Sequence, residues 1–349
     1  MRGRLLLPIS AVYLAGVLAF AQTAPASSQA AASAAQRPSP AGNLSTAAGT
    51  SKEDWTALSL DKSGLNLAGV TEDSIGKWEK PEYTRELLRV QWRPNDPIDL
   101  YVIRPHGVEK PPVILYLYGF PSDTERFRDE GWSKRVTQGG FAAVGFVSAL
   151  TGQRIHTPRP MRDTFVTQLQ ESLGTSTHDV QMVLNYLASR GDLDMKSVGM
   201  FGQGSGATTA ILAAQADSRI VALDLLDPWG DWPDWLRSSP QVPEDVRADY
   251  LKPEFLARIS QLDPIAYLPH LKLKALRIQQ VLDDPDVPAS VRDKVAAAVP
   301  RPEQVVRYKD TQAHIAAYRA SGLTGWLREQ LRPSPAEKKT AELQADLSR

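Results

Sequence analysis

The sequence predicts an α/β protein built on a mostly parallel, mixed sheet, with helices on both faces and a small helical lid. Three observations predict it. Strand-like and helix-like segments alternate along the middle of the chain, the pattern of parallel strands joined by crossover helices. The central strand-like segments, such as Pro111–Phe120 "PPVILYLYGF" and Phe141–Leu150 "FAAVGFVSAL", are unbroken apolar runs, as strands buried on both faces require. The first two β-rich segments are separated only by a short turn, so they pair antiparallel and make the sheet mixed.

Taken in order, the elements read as follows. Residues 1–21 open with Arg2 and Arg4, continue through the apolar run Leu5–Phe20, and end in the small-x-small site Ala19-Phe20-Ala21. This is the pattern of a secretory signal peptide cleaved after Ala21; an uncleaved anchor is the alternative. Cleavage implies an exported protein, periplasmic or secreted, with no stable membrane anchor left. Residues 22–51 are dominated by Ala, Ser, Thr, Pro and Gly and read as a disordered linker. The folded domain spans residues 52–331. Tyr83–Pro94 and Ile98–Pro105 form a hairpin around "NDP". Thr177–Gly191 carries apolar residues at helical spacing and a terminal glycine. Ser197–Gly202 is a third buried strand, followed by a small-residue helix over Gly206–Ala216. Arg219–Pro228 and Lys274–Leu282 are further strands, and Gly322–Leu331 is a closing helix. Residues 228–261, rich in Trp and Pro, read as a helical lid inserted over the carboxyl ends of the strands. In it Trp229, Trp232 and Trp235 either line a pocket or fasten the insertion to the body, and burial alone explains such a cluster. Residues 332–349 are a charged tail.

Composition removes several classes of function. The chain of 349 residues has no cysteine, which excludes a thiol nucleophile, a disulfide framework and thiolate metal sites. The formal net charge is zero, so nothing favours nucleic acid. No metal-ligand spacing and no cofactor fingerprint is present, and the expected partner is a small-molecule or peptide substrate or ligand.

Four segments, in this order, resemble the α/β-hydrolase family. Val113–Asp123 "VILYLYGFPSD" is similar to its oxyanion strand and loop, with Tyr118-Gly119 where His-Gly is usual. Asp192–Ala207 "DLDMKSVGMFGQGSGA" resembles the nucleophile elbow with its lead-in, and Asp263–Pro288 the approach to the acid loop. Val305–His314 "VVRYKDTQAH" resembles the last strand and histidine loop. The resemblance is to serine esterases and peptidases of the dienelactone hydrolase and prolyl oligopeptidase kind. It implies a Ser, Asp, His order, which Ser205, Asp284 and His314 follow. Asp283 and Asp286 are alternatives for the acid, and His156 is held in reserve for the base. Backbone N–H groups of Phe120 and Ser205 are the implied oxyanion donors. Asp224, Asp227 and Asp231 form a further carboxylate group, with Asp227 read as a helix cap and Asp231 as solvated.

The elbow departs from the family pattern Gly-x-Ser-x-Gly. Gly202, Gly204 and Gly206 occupy its three key positions, so glycine stands where the nucleophile belongs and Ser205 follows one residue late. In this frame the Ser205 hydroxyl points away from the tip and caps the following helix. Two readings stay open. One is an ester- or peptide-type hydrolase with Ser205, or a water in the space left by Gly204, as nucleophile. The other is a catalytically inactive α/β-hydrolase-fold protein that binds a ligand or partner.

Overall fold

A computed structural model describes residues 52–332, apart from 66, 68, 121–123, 156–160, 302–303 and 322–324. The expected signal peptide, the linker, the tail beyond Arg332, and His156 lie outside the described residues. Among the described residues no helix is long and apolar enough to cross a membrane.

The strands are β1 (Thr71–Glu79), β2 (Tyr83–Gln91), β3 (Ile98–Pro105), β4 (Pro112–Tyr118), β5 (Ala142–Gly145), β6 (Asp194–Gln203), β7 (Ile220–Leu226), β8 (Ala275–Val281) and β9 (Val305–Tyr308). They form one sheet in the order β1-β2-β3-β5-β4-β6-β7-β8-β9. The pairs β1–β2, β2–β3 and β3–β5 are antiparallel, and all the others are parallel. This is the expected mixed sheet.

One strand has no counterpart in the sequence reading. β1, "TEDSIGKWE", is exposed along both faces, so it has no buried side to impose an alternating apolar pattern.

The helices are α1 (Glu125–Arg128), α2 (Glu130–Thr137), α3 (Met161–Thr167), α4 (Leu169–Arg190), α5 (Ser205–Ala216), α6 (Trp232–Ser238), α7 (Arg247–Tyr250), α8 (Pro253–Ile259), α9 (Ala289–Ala298), α10 (Thr311–Ser321) and α11 (Gly325–Leu331). They divide between the two sheet faces. One core layer packs Val183, Leu187, Ala210 and Ile211 of α4 and α5 against Leu115, Leu117, Met200 and Leu225. The other packs Trp132 and Val136 of α2 and Leu327 and Leu331 of α11 against Tyr116, Phe201 and Ala222. Both faces of the central strands are therefore dry, which explains their unbroken apolar runs.

The stretch before β1 is tied down by charge. Glu53 binds Arg93 through both carboxylate oxygens, at 2.6 and 2.7 Å, and His178 Nδ1 lies 2.6 Å from its Oε1. Arg93 and the fully buried Arg154 both pair with Asp179, which is itself fully buried on α4. Trp92 Nε1 donates to the same carboxylate at 2.9 Å.

Candidate functional site

The chain reverses between β6 and α5 at Gly204, which has φ 56° and ψ −124°. Its N–H donates to Leu226 O at 2.9 Å, and its carbonyl accepts from Ala207 and Thr208 at 3.0 and 3.2 Å. The elbow glycines serve different needs. A Cβ on Gly202 would meet Ala207 Cα at 2.5 Å, and one on Gly206 would press into the Leu117 carbonyl oxygen. Those two glycines let α5 start directly against β6 and β4. At Gly204 the nearest atom to an added Cβ is Trp229 Nε1 at 3.4 Å, an ordinary contact. Positive φ alone favours glycine there. The indole of Trp229 flanks the space into which an elbow side chain would project.

Ser205 is the first residue of α5 and is buried. Its hydroxyl does not cap the helix as expected: Oγ accepts the Phe120 N–H at 2.9 Å. The oxyanion loop lies directly on the elbow, since a Cβ on Gly119 would sit 2.5 Å from Gln203 O and 2.7 Å from Ser205 N. The structure thus brings Ser205 and Phe120 together, but with the serine oxygen on the amide that the family resemblance assigns to an oxyanion.

Asp284 follows β8 in the acid loop, and its Oδ1 accepts the Asp286 N–H at 2.8 Å. Arg292 fixes this loop by donating to the carbonyls of Leu282, Asp284 and Val287. The carboxyl partner of Asp284 is Asp227, one residue beyond β7. Asp227 is buried with φ 47°, and its Oδ1 accepts Val281 N–H at 2.9 Å. Burial, reinforced by the nearby Asp284 charge, raises Asp227 well above the ordinary carboxylate range. Burial also raises Asp284, with Asp286 and Asp283 adding to the effect. Asp227 is therefore not a helix cap. Asp231 is not solvated either, because Lys294 bridges it to Asp234.

His314 lies within α10. Asp283 Oδ1 accepts the Thr311 N–H at 2.9 Å, and Asp310 Oδ1 accepts the Ala313 N–H at 2.8 Å, so only two residues separate the end of β9 from the helix. The ring packs edge-on to Tyr308, with centroids 5.0 Å apart. Burial lowers its pKa, with Asp224 and Arg277 as the charges it senses. Asp224, fully buried, holds Arg277 through both oxygens at 2.8 and 2.6 Å and accepts Gln279 Nε2 at 2.8 Å. The hydrogen bonds of Ser205 and Asp284 do not include His314. Ser205, Asp284 and His314 thus each have different hydrogen-bond or ring partners, while Asp283 joins the acid loop to the start of α10.

The three tryptophans are buried. Trp229 stacks on Trp235 at 4.5 Å, and Trp232 meets Trp235 edge-on at 5.9 Å. Trp235 Nε1 donates to Asp286 O at 3.1 Å, and Ser239 Oγ to the same carbonyl at 2.9 Å, which ties α6 to the acid loop. Phe120, Phe165 and Trp229 continue this aromatic contact to the oxyanion loop. Two cavities, of about 390 and 340 Å³, are lined elsewhere, the first by Asp231, Trp232, Leu256 and Asp263, the second by Glu82, His106 and Lys134.

The architecture has solved counterparts. Acetyl xylan esterase 1 from Thermoanaerobacterium sp. superposes with a TM-score of 0.62 at 14% identity, covering 80% of this chain and 92% of that one. The chain has the α/β-hydrolase fold. An acetyl xylan esterase from Paenibacillus sp. matches this α/β-hydrolase-fold protein with a TM-score of 0.60 at 17% identity, over 76% of this chain and 90% of that one. An acylaminoacyl peptidase from Pyrococcus horikoshii matches with a TM-score of 0.54 at 13% identity, over 69% of this chain and 41% of that one. No family model matches the sequence, and no curated protein matches it.

Proposed function

We propose that this is an exported α/β-hydrolase-fold protein that binds a small-molecule or peptide ligand, or a partner, and does not cleave through a serine triad. One observation carries the reading. At the elbow the tip residue is Gly204, and the neighbouring Ser205 Oγ is engaged by Phe120 N–H rather than by an imidazole. A serine hydroxyl is a weak nucleophile unless a base takes its proton. Removing the nucleophile from an intact serine triad costs on the order of a millionfold in turnover. The test is labelling by a fluorophosphonate probe together with p-nitrophenyl acetate turnover. The expected result is no labelling, and turnover that Ser205→Ala and His314→Ala leave unchanged. Labelling lost on Ser205→Ala overturns the reading.

A second reading, ester or peptide hydrolysis by an activated water, has one observation in its favour. Asp227 and Asp284 are neighbouring carboxyls beyond the ends of adjacent strands, each raised by burial. Carboxyls that share a proton can activate water. Turnover abolished by Asp284→Asn but indifferent to Ser205→Ala selects this reading over the first.

A further inference from the structure

β1 is an edge strand, and it is exposed along almost its whole length. Leu67, Val70, Ile75 and Trp78 are four of the six large hydrophobic side chains exposed among the described residues, so apolar surface is concentrated on this edge. An open strand edge presents unpaired N–H and C=O groups, a template for another strand.

The register of β1 against β2 shifts between Ser74 and Gly76, which leaves Ile75 as a bulge. The bulge decides which β1 residues are equivalent. Glu72 stands opposite Val90 and Lys77 opposite Glu86. Val90 and Glu86 have even spacing on β2, so Glu72 and Lys77 share one face of the sheet and turn their backbone groups the same way. Thr71 and Trp78, opposite Gln91 and Arg85, are equivalent on the other face. Two copies of β1 laid antiparallel about a two-fold axis between Ser74 and Ile75 therefore agree in face and in hydrogen-bond direction. That register sets Glu72 against the partner's Lys77, twice by symmetry, and Thr71 against the partner's Trp78.

We propose that a second copy of this chain occupies this edge, paired β1 to β1 in that register to give a homodimer with one continuous sheet. Charge complementarity selects the occupant. The bulge, ordinarily a device that discourages edge pairing, here brings opposite charges into phase. Within one chain Lys77 already lies 3.0 Å from Glu79. This exposed contact contributes little and does not compete with a paired strand edge.

The test is sedimentation equilibrium of the full chain over a wide concentration range. The expected result is a mass that rises from one chain to two. Glu72→Lys and Lys77→Glu should each weaken dimerisation by about tenfold or more, because like charges then face each other twice. The double exchange Glu72→Lys with Lys77→Glu should restore it, while circular dichroism shows all variants folded. A single-chain mass at every concentration overturns the proposal. So does a dimer that the single reversals leave intact or that the double exchange fails to restore.

Discussion

The Phe120 amide donates a 2.9 Å hydrogen bond to the Ser205 hydroxyl, joining the loop after β4 to the first turn of α5. Both residues are buried, so neither group has bulk water as an alternative partner. The bond makes the serine a clamp between that loop and the helix. Ser205→Ala removes the acceptor and strands a buried N–H, a change that costs about 1–3 kcal/mol. Urea denaturation should show a lower midpoint with an unchanged slope. A midpoint equal to the wild type would mean that the Phe120 amide finds another acceptor and that the clamp contributes nothing.

The elbow glycines predict a rank order. Gly204→Ser places a Cβ at ordinary distance from Trp229 but at a positive φ, at a cost of about 1–3 kcal/mol in strain. This variant should fold. On the proposed reading it should show no acyl-enzyme burst with p-nitrophenyl acetate, because His314 packs on Tyr308 within α10 and Ser205 has the Phe120 amide as its partner. Gly206→Ala must drive the Leu117 carbonyl away from α5, and Gly202→Ala must move Ala207. Both should lose more stability than Gly204→Ser, read as thermal midpoints. Burst kinetics in Gly204→Ser would mean that His314 or another base reaches the elbow.

The features legible in the sequence are those dictated by sterics and burial. The strands β4, β6 and β7 were readable because both their faces are dry, and the elbow because glycines at 202 and 206 answer direct collisions. β1 was not readable, since an edge strand wet on both faces carries no pattern. The position of His314 turned on where α10 begins. Asp310 followed by Thr311 was the available clue, because a side-chain oxygen there caps a helix and draws the histidine into it. The pairing of Asp227 with Asp284 depends on a left-handed backbone at an aspartate, which neither spacing nor composition announces.

Asp179 is the hub of the charge network that holds the segment before β1. Burial alone would raise Glu53 and Asp179, but His178 and Arg93 for the first, and Arg93 and Arg154 for the second, outweigh it and hold both below the usual range. Asp179→Ala removes the carboxylate that Arg93 and the fully buried Arg154 share, while Glu53 still holds Arg93 and Asp96 still holds Arg154, so the loss is about 1–3 kcal/mol. Because these two folded pKa values are depressed, their stabilisation is present above the ordinary carboxylate range and is lost as pH falls through the folded values. The acid limb of the stability profile should therefore be flatter in Asp179→Ala than in the wild type. Equal acid limbs would assign acid unfolding to other groups.

Asp227 acts with the opposite sign. Its folded pKa lies well above the ordinary aspartate value, chiefly through burial and then through the Asp284 charge. The folded state consequently binds a proton that the unfolded state has released, and stability falls as pH rises from the unfolded value through the folded one. Asp227→Asn keeps a neutral side chain of the same shape, whose carbonyl can still accept the Val281 N–H and whose amide can donate to Asp284. The variant should match the wild type in acid and exceed it once Asp227 has ionised, with the two thermal-midpoint curves diverging as pH rises. If the curves run parallel across that window, Asp227 does not hold a proton in the folded protein, and the carboxyl pair is not the source of the pH dependence.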